Sequence, residues 1–451
     1  MPKDILIRIG IIVACVAFFS FKVGDVGTQF TGDENFYFES SKGMLQSGDW
    51  LTPRYYGKPR FQKPILYYWL VASSFSAFGI NWHAARLPSI LFGAFTVLLV
   101  YLIGAMVFKK RGPSLFCALM LAATFKFFKY ARFAIPDMAL LFFITLSMYI
   151  FLKIAFERRG DRGLSSLFFL AIGLGFLTKG PVAFIIPFLS IGLFLIISKS
   201  PMPIKKGDIF IGGLLCAAIA LPWFLAMWRL HGSAFTSHLW TREISERVGS
   251  RHGATDIFFY IPIVLVRFLP WSIFLPMGAA NCVRAARPNA PGRDGYIFIL
   301  SWFVCVFIFF TLMGEKHSQY MLSLTAPFAL IVGGGLSLGR LFSKKWISIP
   351  VVTLLVTVVS FVSVLSSNNL RLNSDVLGAF AAKAAEYGLE ESDKVGAGSH
   401  ELIPQQLEVY LDRPVEKVGA RLSDPAESDR ANKIKLENFF KSGKVYCVIS
   451  E

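Results

Sequence analysis

Long apolar stretches recur along this chain, at roughly 5–24, 83–108, 113–130, 136–156, 163–179, 181–198, 208–230, 256–280, 295–313, 319–339 and 346–366. Apolar runs of roughly 17–22 residues have the length a helix needs to cross the hydrocarbon core of a bilayer. Eleven of them predict an all-α polytopic membrane protein. Composition agrees: of 451 residues, 54% are hydrophobic and only 17% are charged, with 45 Phe. A soluble protein this long needs more charge to cover its surface.

The loops between these runs predict an orientation. Alternate loops carry Lys109-Lys110-Arg111, then Arg158-Arg159 with Arg162, then Lys199 with Lys205-Lys206. The series continues with Arg284, Arg287 and Arg293, and then Arg340 with Lys344-Lys345. With the N-terminus inside, every cluster falls on the cytoplasmic side, as basic loops prefer. An odd number of spans then puts the C-terminus outside. The same loops, beside anionic lipid, account for the formal charge of +17 without nucleic acid as a partner. The first run, 5–21, has basic flanks like a signal peptide, but no small-x-small cleavage site follows it. It reads as a retained helix. The expected location is a membrane, with the basic loops on its cytoplasmic side.

Two outer loops are long. The first, 25–82, holds an aromatic segment at 64–70 that suits a helix lying at the headgroup level. A further span near 65–79 would reverse the charge pattern downstream and is rejected. The second, 231–255, is polar and rich in His, Arg and Glu. A transmembrane unit over 1–366 is thus expected, followed by a polar segment, 370–451. Strand-like runs at 394–397, 414–418 and 444–449 alternate there with helix-like segments at 375–387 and 401–410. That pattern predicts a small periplasmic α/β domain.

The six cysteines, Cys15, Cys117, Cys216, Cys282, Cys305 and Cys447, lack metal-type spacing, and five lie in or beside apolar runs. They read as small core hydrophobes. Three His, two Glu and one Asp near the outer face could in principle hold a divalent metal, but their spacings form no ligand set. No metal or other cofactor is assigned.

Ionisable groups concentrate on the outer face, where each has a bland reading beside a chemical one. Asp33-Glu34 opens the first loop and could merely cap a helix. Lys63 lies in Pro59-Arg60-Phe61-Gln62-Lys63-Pro64 and could merely snorkel. Asp137 starts an apolar helix, where the helix dipole favours a carboxylate. Together, a carboxylate pair and a lysine held among aromatics could take a cationic or hydroxyl group and a phosphate. Lys179 in the turn Thr178-Lys179-Gly180-Pro181, the group Arg242, Glu243, Arg247 and His252, and the segment Glu315-Lys316-His317-Ser318-Gln319-Tyr320 complete the outer set.

In order along the chain, these segments resemble the aminoarabinose transferase (ArnT) and protein O-mannosyltransferase superfamily of GT-C glycosyltransferases. The landmarks are Asp33-Glu34-x-x-Tyr37, Met44-Leu45-x-x-Gly48-Asp49-Trp50, Lys63-Pro64, Ala85-Arg86-Leu87-Pro88, Asp137, the Phe176–Pro181 turn, Pro270-Trp271 and the Lys316…Tyr320 segment. The resemblance implies a polyprenyl-phosphate sugar donor, undecaprenyl-linked, and inverting transfer to a glycolipid, glycan or protein. It implies that Asp33, with Glu34 beside it, sits at the reacting centre, Asp33 as base or acceptor-orienting group. Lys63, Arg247 and Tyr320 would contact the donor phosphate. Tyr37, Arg86, Asp137, Lys179, Glu243, Lys316 and His317 would surround the substrates. Cations preorganised around a leaving phosphate stabilise the charge that it gains in the transition state.

Two positions depart from the aminoarabinose members: Phe36 stands where Arg is usual, and Gln62 where Glu is usual. The departures bear on which sugar and acceptor are used. The rival readings are a lipid or polysaccharide transporter and a sensory or structural membrane protein. A transporter places ionisable groups near the midplane, often in inverted repeats, whereas here they gather at one end of the helices.

Overall fold

The charged loops do mark the helix ends. The computed structural model describes residues 3–24, 32–239, 241, 258–338 and 357, and the strand segments 394–397, 415–417 and 445–448. Helix α1 is Lys3–Ser20. The first outer loop holds α2 (Gly32–Ser47), a two-stranded antiparallel hairpin of β1 (Arg54–Tyr55) and β2 (Lys58–Pro59), and α3 (Leu66–Phe78). The helices that follow are α4 (Trp82–Phe108), α5 (Arg111–Ala122), α6 (Phe125–Ala131), α7 (Asp137–Phe156), α8 (Arg162–Lys179), α9 (Val182–Ser198) and α10 (Lys206–His238). Then come α11 (Tyr260–Arg267), a 3-10 turn at Trp271–Phe274, α12 (Leu275–Ala285), α13 (Arg293–Leu312), a 3-10 segment at Ser318–Leu324 and α14 (Thr325–Leu338).

Among the described residues, six helices are long and apolar enough to cross a membrane, or up to eight if each bent pair is one span. Their outward side chains are apolar as well: Phe210, Leu214, Leu221, Leu225 and Trp228 of α10 are all exposed. Water would not tolerate that face, and lipid does. The chain is a multi-pass membrane protein. The stretch expected at 346–366 lies outside the described residues.

Two of the expected straight spans are broken. The run 113–130 is α5 and α6, bent by 65°. The Thr124 hydroxyl at the bend donates 2.8 Å to the Met120 carbonyl, while Thr124 itself has extended backbone. The run 256–280 is bent by 110° between α11 and the segment 271–285. Pro270, which has no N–H to give to a helix, stands at that break. The second outer loop also starts later than expected, because α10 continues to His238 past a kink at Gly232 (φ 53°).

Capping supports the helix starts. Asn81 accepts from the Ala84 N–H (2.9 Å) ahead of α4, and Asp161 accepts from the Leu164 N–H (2.9 Å) ahead of α8. Helix α4 packs on α1, α5 and α7, and α8 packs on α7 and α10; α14 crosses both α5 and α12. A Cβ on Gly335 of α14 would collide with the Gly278 backbone of α12. Only glycine lets two membrane helices meet backbone to backbone in this way. Cys117 and Cys282 are fully buried among these helices and free.

In the polar C-terminal segment, β3 (Lys394–Ala397), β4 (Val415–Lys417) and β5 (Val445–Val448) form a parallel sheet in the order β4-β3-β5. The strands fall where the sequence predicts them. The helices expected at 375–387 and 401–410 lie outside the described residues.

Candidate functional site

Successive residues of a helix point about 100° apart, and the first turn of α2 puts this to use. Asp33 is exposed, while Glu34 is fully buried. The Glu34 carboxylate accepts Arg86 Nε at 2.8 Å and Nη2 at 2.9 Å, and the Ala134 N–H at 2.7 Å. Arg86, also fully buried, donates its remaining nitrogen to the Val23 carbonyl. Nearby, Arg132 donates 2.8 Å to the Phe19 carbonyl. The pair therefore ties α2 to α4, to the end of α1 and to the loop before α7. Glu34, expected at the reacting centre, and Arg86, expected around the substrates, hold each other away from solvent.

Asp33 has a different setting. One turn on, Tyr37 is 4% exposed and packs edge-on to Tyr67 (5.5 Å) and against Tyr68 (5.0 Å). Burial, and then the neighbouring Tyr68, hold the Tyr37 phenol well above its usual pKa, so it stays a neutral hydrogen-bonding group. The Arg60 guanidinium lies 4.0 Å over the Phe36 ring and 6.0 Å from that of Tyr37, and its Nε donates 3.1 Å to the Tyr68 hydroxyl. Asp33 is within electrostatic reach of both Arg60 and Tyr37.

A second acid approaches from the helix bundle. Asp137 is the first residue of α7 and Lys179 the last of α8, so each charge complements the dipole of its own helix. They meet at 2.7 Å, both nearly buried. Beside them opens a small cleft lined by Asp137, Lys179, Phe310, Gln319, Tyr320 and Ser323 among others. The Tyr320 ring stacks on Phe310 at 4.9 Å. Asp137 is also within electrostatic reach of Tyr37 and Tyr67, and both Asp33 and Asp137 act on Tyr130. The two carboxylates thus converge on one patch of tyrosines.

The remaining expected residues lie as follows. Lys63 is half-buried just ahead of α3, two residues after Phe61, which packs on His231 and Phe235. Lys316 donates to the Thr311 carbonyl and stands 5.7 Å from the Tyr260 ring; His317 is 3.6 Å from Glu315. The Tyr260 hydroxyl bonds the His317 backbone, which fastens this segment to α11. Glu243 and Arg247, with Arg242 and His252, lie outside the described residues. Among the described residues, no group of three or more His, Cys, Asp or Glu is placed to hold a metal.

The structure adds residues that sequence reasoning passed over. Arg60 stands in the motif quoted for Lys63 but drew no attention of its own. Lys126 and Lys129 stand inside an expected span, and the cost of a charge in an apolar run was the signal available for them. Arg267, the last residue of α11, is within electrostatic reach of both.

Comparison with known proteins follows the same lines. Residues 6–243 match the dolichyl-phosphate-mannose-protein mannosyltransferase family. The undecaprenyl phosphate-alpha-4-amino-4-deoxy-L-arabinose arabinosyl transferase of Pseudomonas aeruginosa (strain LESB58) is 30% identical over 309 residues, which cover 67% of this chain and 55% of that protein. This chain spans 55% to 61% of the length of the first curated relatives it matches. Among solved structures, ArnT from Cupriavidus metallidurans bound to undecaprenyl phosphate superposes with a TM-score of 0.73 at 20% identity, over 97% of this chain and 89% of that one. The Archaeoglobus fulgidus oligosaccharyltransferase in complex with Zn and sulfate superposes with a TM-score of 0.62 at 15% identity, over 95% and 66%. The fold is that of these membrane proteins, and the chain belongs to the dolichyl-phosphate-mannose-protein mannosyltransferase family.

Proposed function

We propose that this protein is a membrane glycosyltransferase that moves a sugar from a polyprenyl-phosphate donor, undecaprenyl-linked, to a glycolipid, glycan or protein acceptor at the outer face of a bacterial inner membrane. The observation that carries the reading is the convergence of Asp33 and Asp137 on one tyrosine patch beside a cleft that presents Lys179 and Tyr320. Asp137 and Lys179 stand at helix ends, not at mid-span. That position suits chemistry at a membrane surface better than a transport path through the bilayer. The relative named for undecaprenyl-phosphate aminoarabinose, and the fold shared with a protein bound to undecaprenyl phosphate, support the donor class.

The step is a single displacement with inversion. Asp33 takes the proton of the acceptor hydroxyl as its oxygen bonds to the sugar's anomeric carbon. The bond from that carbon to the donor phosphate breaks, and the phosphodiester monoanion leaves as a monoester dianion. Lys63, Arg247 and Tyr320 bind that phosphate. Arg60, rigid against Phe36 and Tyr68, keeps a positive charge near Asp33. Glu34 and Arg86 position α2. The alternation of basic loops supports a cytoplasmic N-terminus and eleven spans. A periplasmic α/β domain over 370–451 fits its parallel strands, which need crossover connections.

Kinetics with a purified polyprenyl-phosphate sugar test the phosphate assignment. Because the extra charge exists only in the transition state, Lys63→Gln should lower kcat about tenfold or more with donor KM nearly unchanged, a loss of charge-assisted hydrogen bonding. Tyr320→Phe should act in the same direction, more weakly. A pure rise in donor KM would remove Lys63 from the leaving-group site.

A further inference from the structure

Asp33, Phe36 and Tyr37 are three and four residues apart on α2 and so share one face of it. Over that face, one turn from Asp33, lies a half-buried cation. The Arg60 guanidinium is 4.0 Å above the Phe36 ring, and its Nε is fixed by the Tyr68 hydroxyl at 3.1 Å. Its Nη1 and Nη2 make no hydrogen bond among the described residues, and no described acid is within ion-pair distance. Tyr68 and Arg60 both lie against Tyr37, which meets Tyr67 at 5.5 Å. The Tyr67 hydroxyl is 2.7 Å from that of Ser89, which donates 3.3 Å to the Ile135 carbonyl, two residues before Asp137. Contacts thus run unbroken from Arg60 to the start of α7, where Asp137 opens the cleft.

Both departures from the aminoarabinose members fall here. Phe36 takes away a cation, and Arg60 returns one directly over its ring. Gln62 takes away a carboxylate, and its Oε1 is buried with no hydrogen-bond partner among the described residues. The place therefore keeps a positive charge and loses a negative one that could pair with an ammonium. In a displacement with inversion, the entering and leaving oxygens stand on opposite sides of the anomeric carbon. Asp33 serves the entering oxygen and Lys63 the leaving phosphate, so the sugar lies between them. Arg60 stands over the turn after Asp33 and three residues before Lys63, which puts it beside that sugar.

We propose that Arg60 determines donor specificity: its Nη1 and Nη2 hold a carboxylate on the transferred sugar, and the donor carries a uronic acid. A guanidinium matches a carboxylate bidentately. Phe36 and Tyr68 hold the fork in place before the sugar arrives, which lowers the cost of ordering it. The Gln62 carbonyl accepts from a hydroxyl of the same sugar. The assignment rests on the proposed transfer from a polyprenyl-phosphate donor.

The test measures the affinity of the full chain in detergent for three lipids, by competition with a fluorescent polyprenyl phosphate. They are undecaprenyl phosphate, its glucuronate and its glucose conjugate; the two sugars differ only in carboxylate against hydroxymethyl. The wild type should bind the glucuronate donor about tenfold or more tighter than the glucose donor, the worth of a charge-assisted pair. Arg60→Gln should bring that ratio close to one, while undecaprenyl phosphate binds as in the wild type, which also reports an intact fold. Arg60→Lys, a charge without the fork, should keep an intermediate ratio. Equal wild-type affinity for the two donors would overturn the proposal. So would a matching loss of undecaprenyl phosphate affinity in Arg60→Gln, which would put Arg60 at the phosphate. A wild type that binds none of the three lipids would remove the polyprenyl-phosphate reading itself, and the proposal with it.

Discussion

Asp33→Asn should transfer sugar about 10²–10⁴ times more slowly than the wild type, the usual contribution of a positioned general base. Asparagine keeps the size and hydrogen bonding of the side chain but has no basicity. Because Asp33 is exposed at the start of α2, the protein should stay folded: exposed substitutions of this kind usually change stability by no more than about 0.5 kcal/mol, with a little more lost from the helix dipole. The measurement is turnover and thermal midpoint on the same purified sample. Wild-type turnover would leave Asp33 with only a helix-terminus role.

The adjacent acid should behave in the opposite way. Glu34→Gln leaves the Arg86 charge buried without its partner, and breaking such a pair costs about 3–5 kcal/mol. Most of that loss should be recovered in Glu34→Gln with Arg86→Met, because the second change removes the orphaned charge. Thermal unfolding of the two single variants and the double variant closes the cycle. A Glu34→Gln protein of wild-type stability with no turnover would make Glu34 catalytic and contradict its positioning role. Two neighbouring carboxylates are thus separated by one pair of measurements.

Much of this architecture is legible in the residues because the cost of dehydrating charge is local information. Lys109-Lys110-Arg111 marks the end of α4, observed to finish at Phe108. The strand at 394–397 is expected and observed over the same residues. The bend at Thr124 is not legible, since a hydroxyl that bonds the Met120 carbonyl in one context turns to a side chain in another. The partner of Glu34 lies 52 residues away, so a motif that contains both residues cannot say that they neutralise each other. The cleft joins Asp137 and Lys179, 42 residues apart, to Tyr320 far downstream; the sequence placed all three on the outer face without bringing them together. Lys126 and Lys129 were legible as charges in an apolar run, and were hidden only by being counted inside a span.

The central claim is that a lipid-linked sugar is cleaved here. Purified protein in nanodiscs, supplied with polyprenyl-phosphate sugars and membrane acceptors and followed by mass spectrometry, tests it directly. The wild type should release undecaprenyl phosphate in step with the appearance of a glycosylated acceptor, and Asp33→Asn should release far less. Lipid-linked sugar that is moved across sealed vesicles by the wild type and remains intact would contradict the claim and make the protein a transporter.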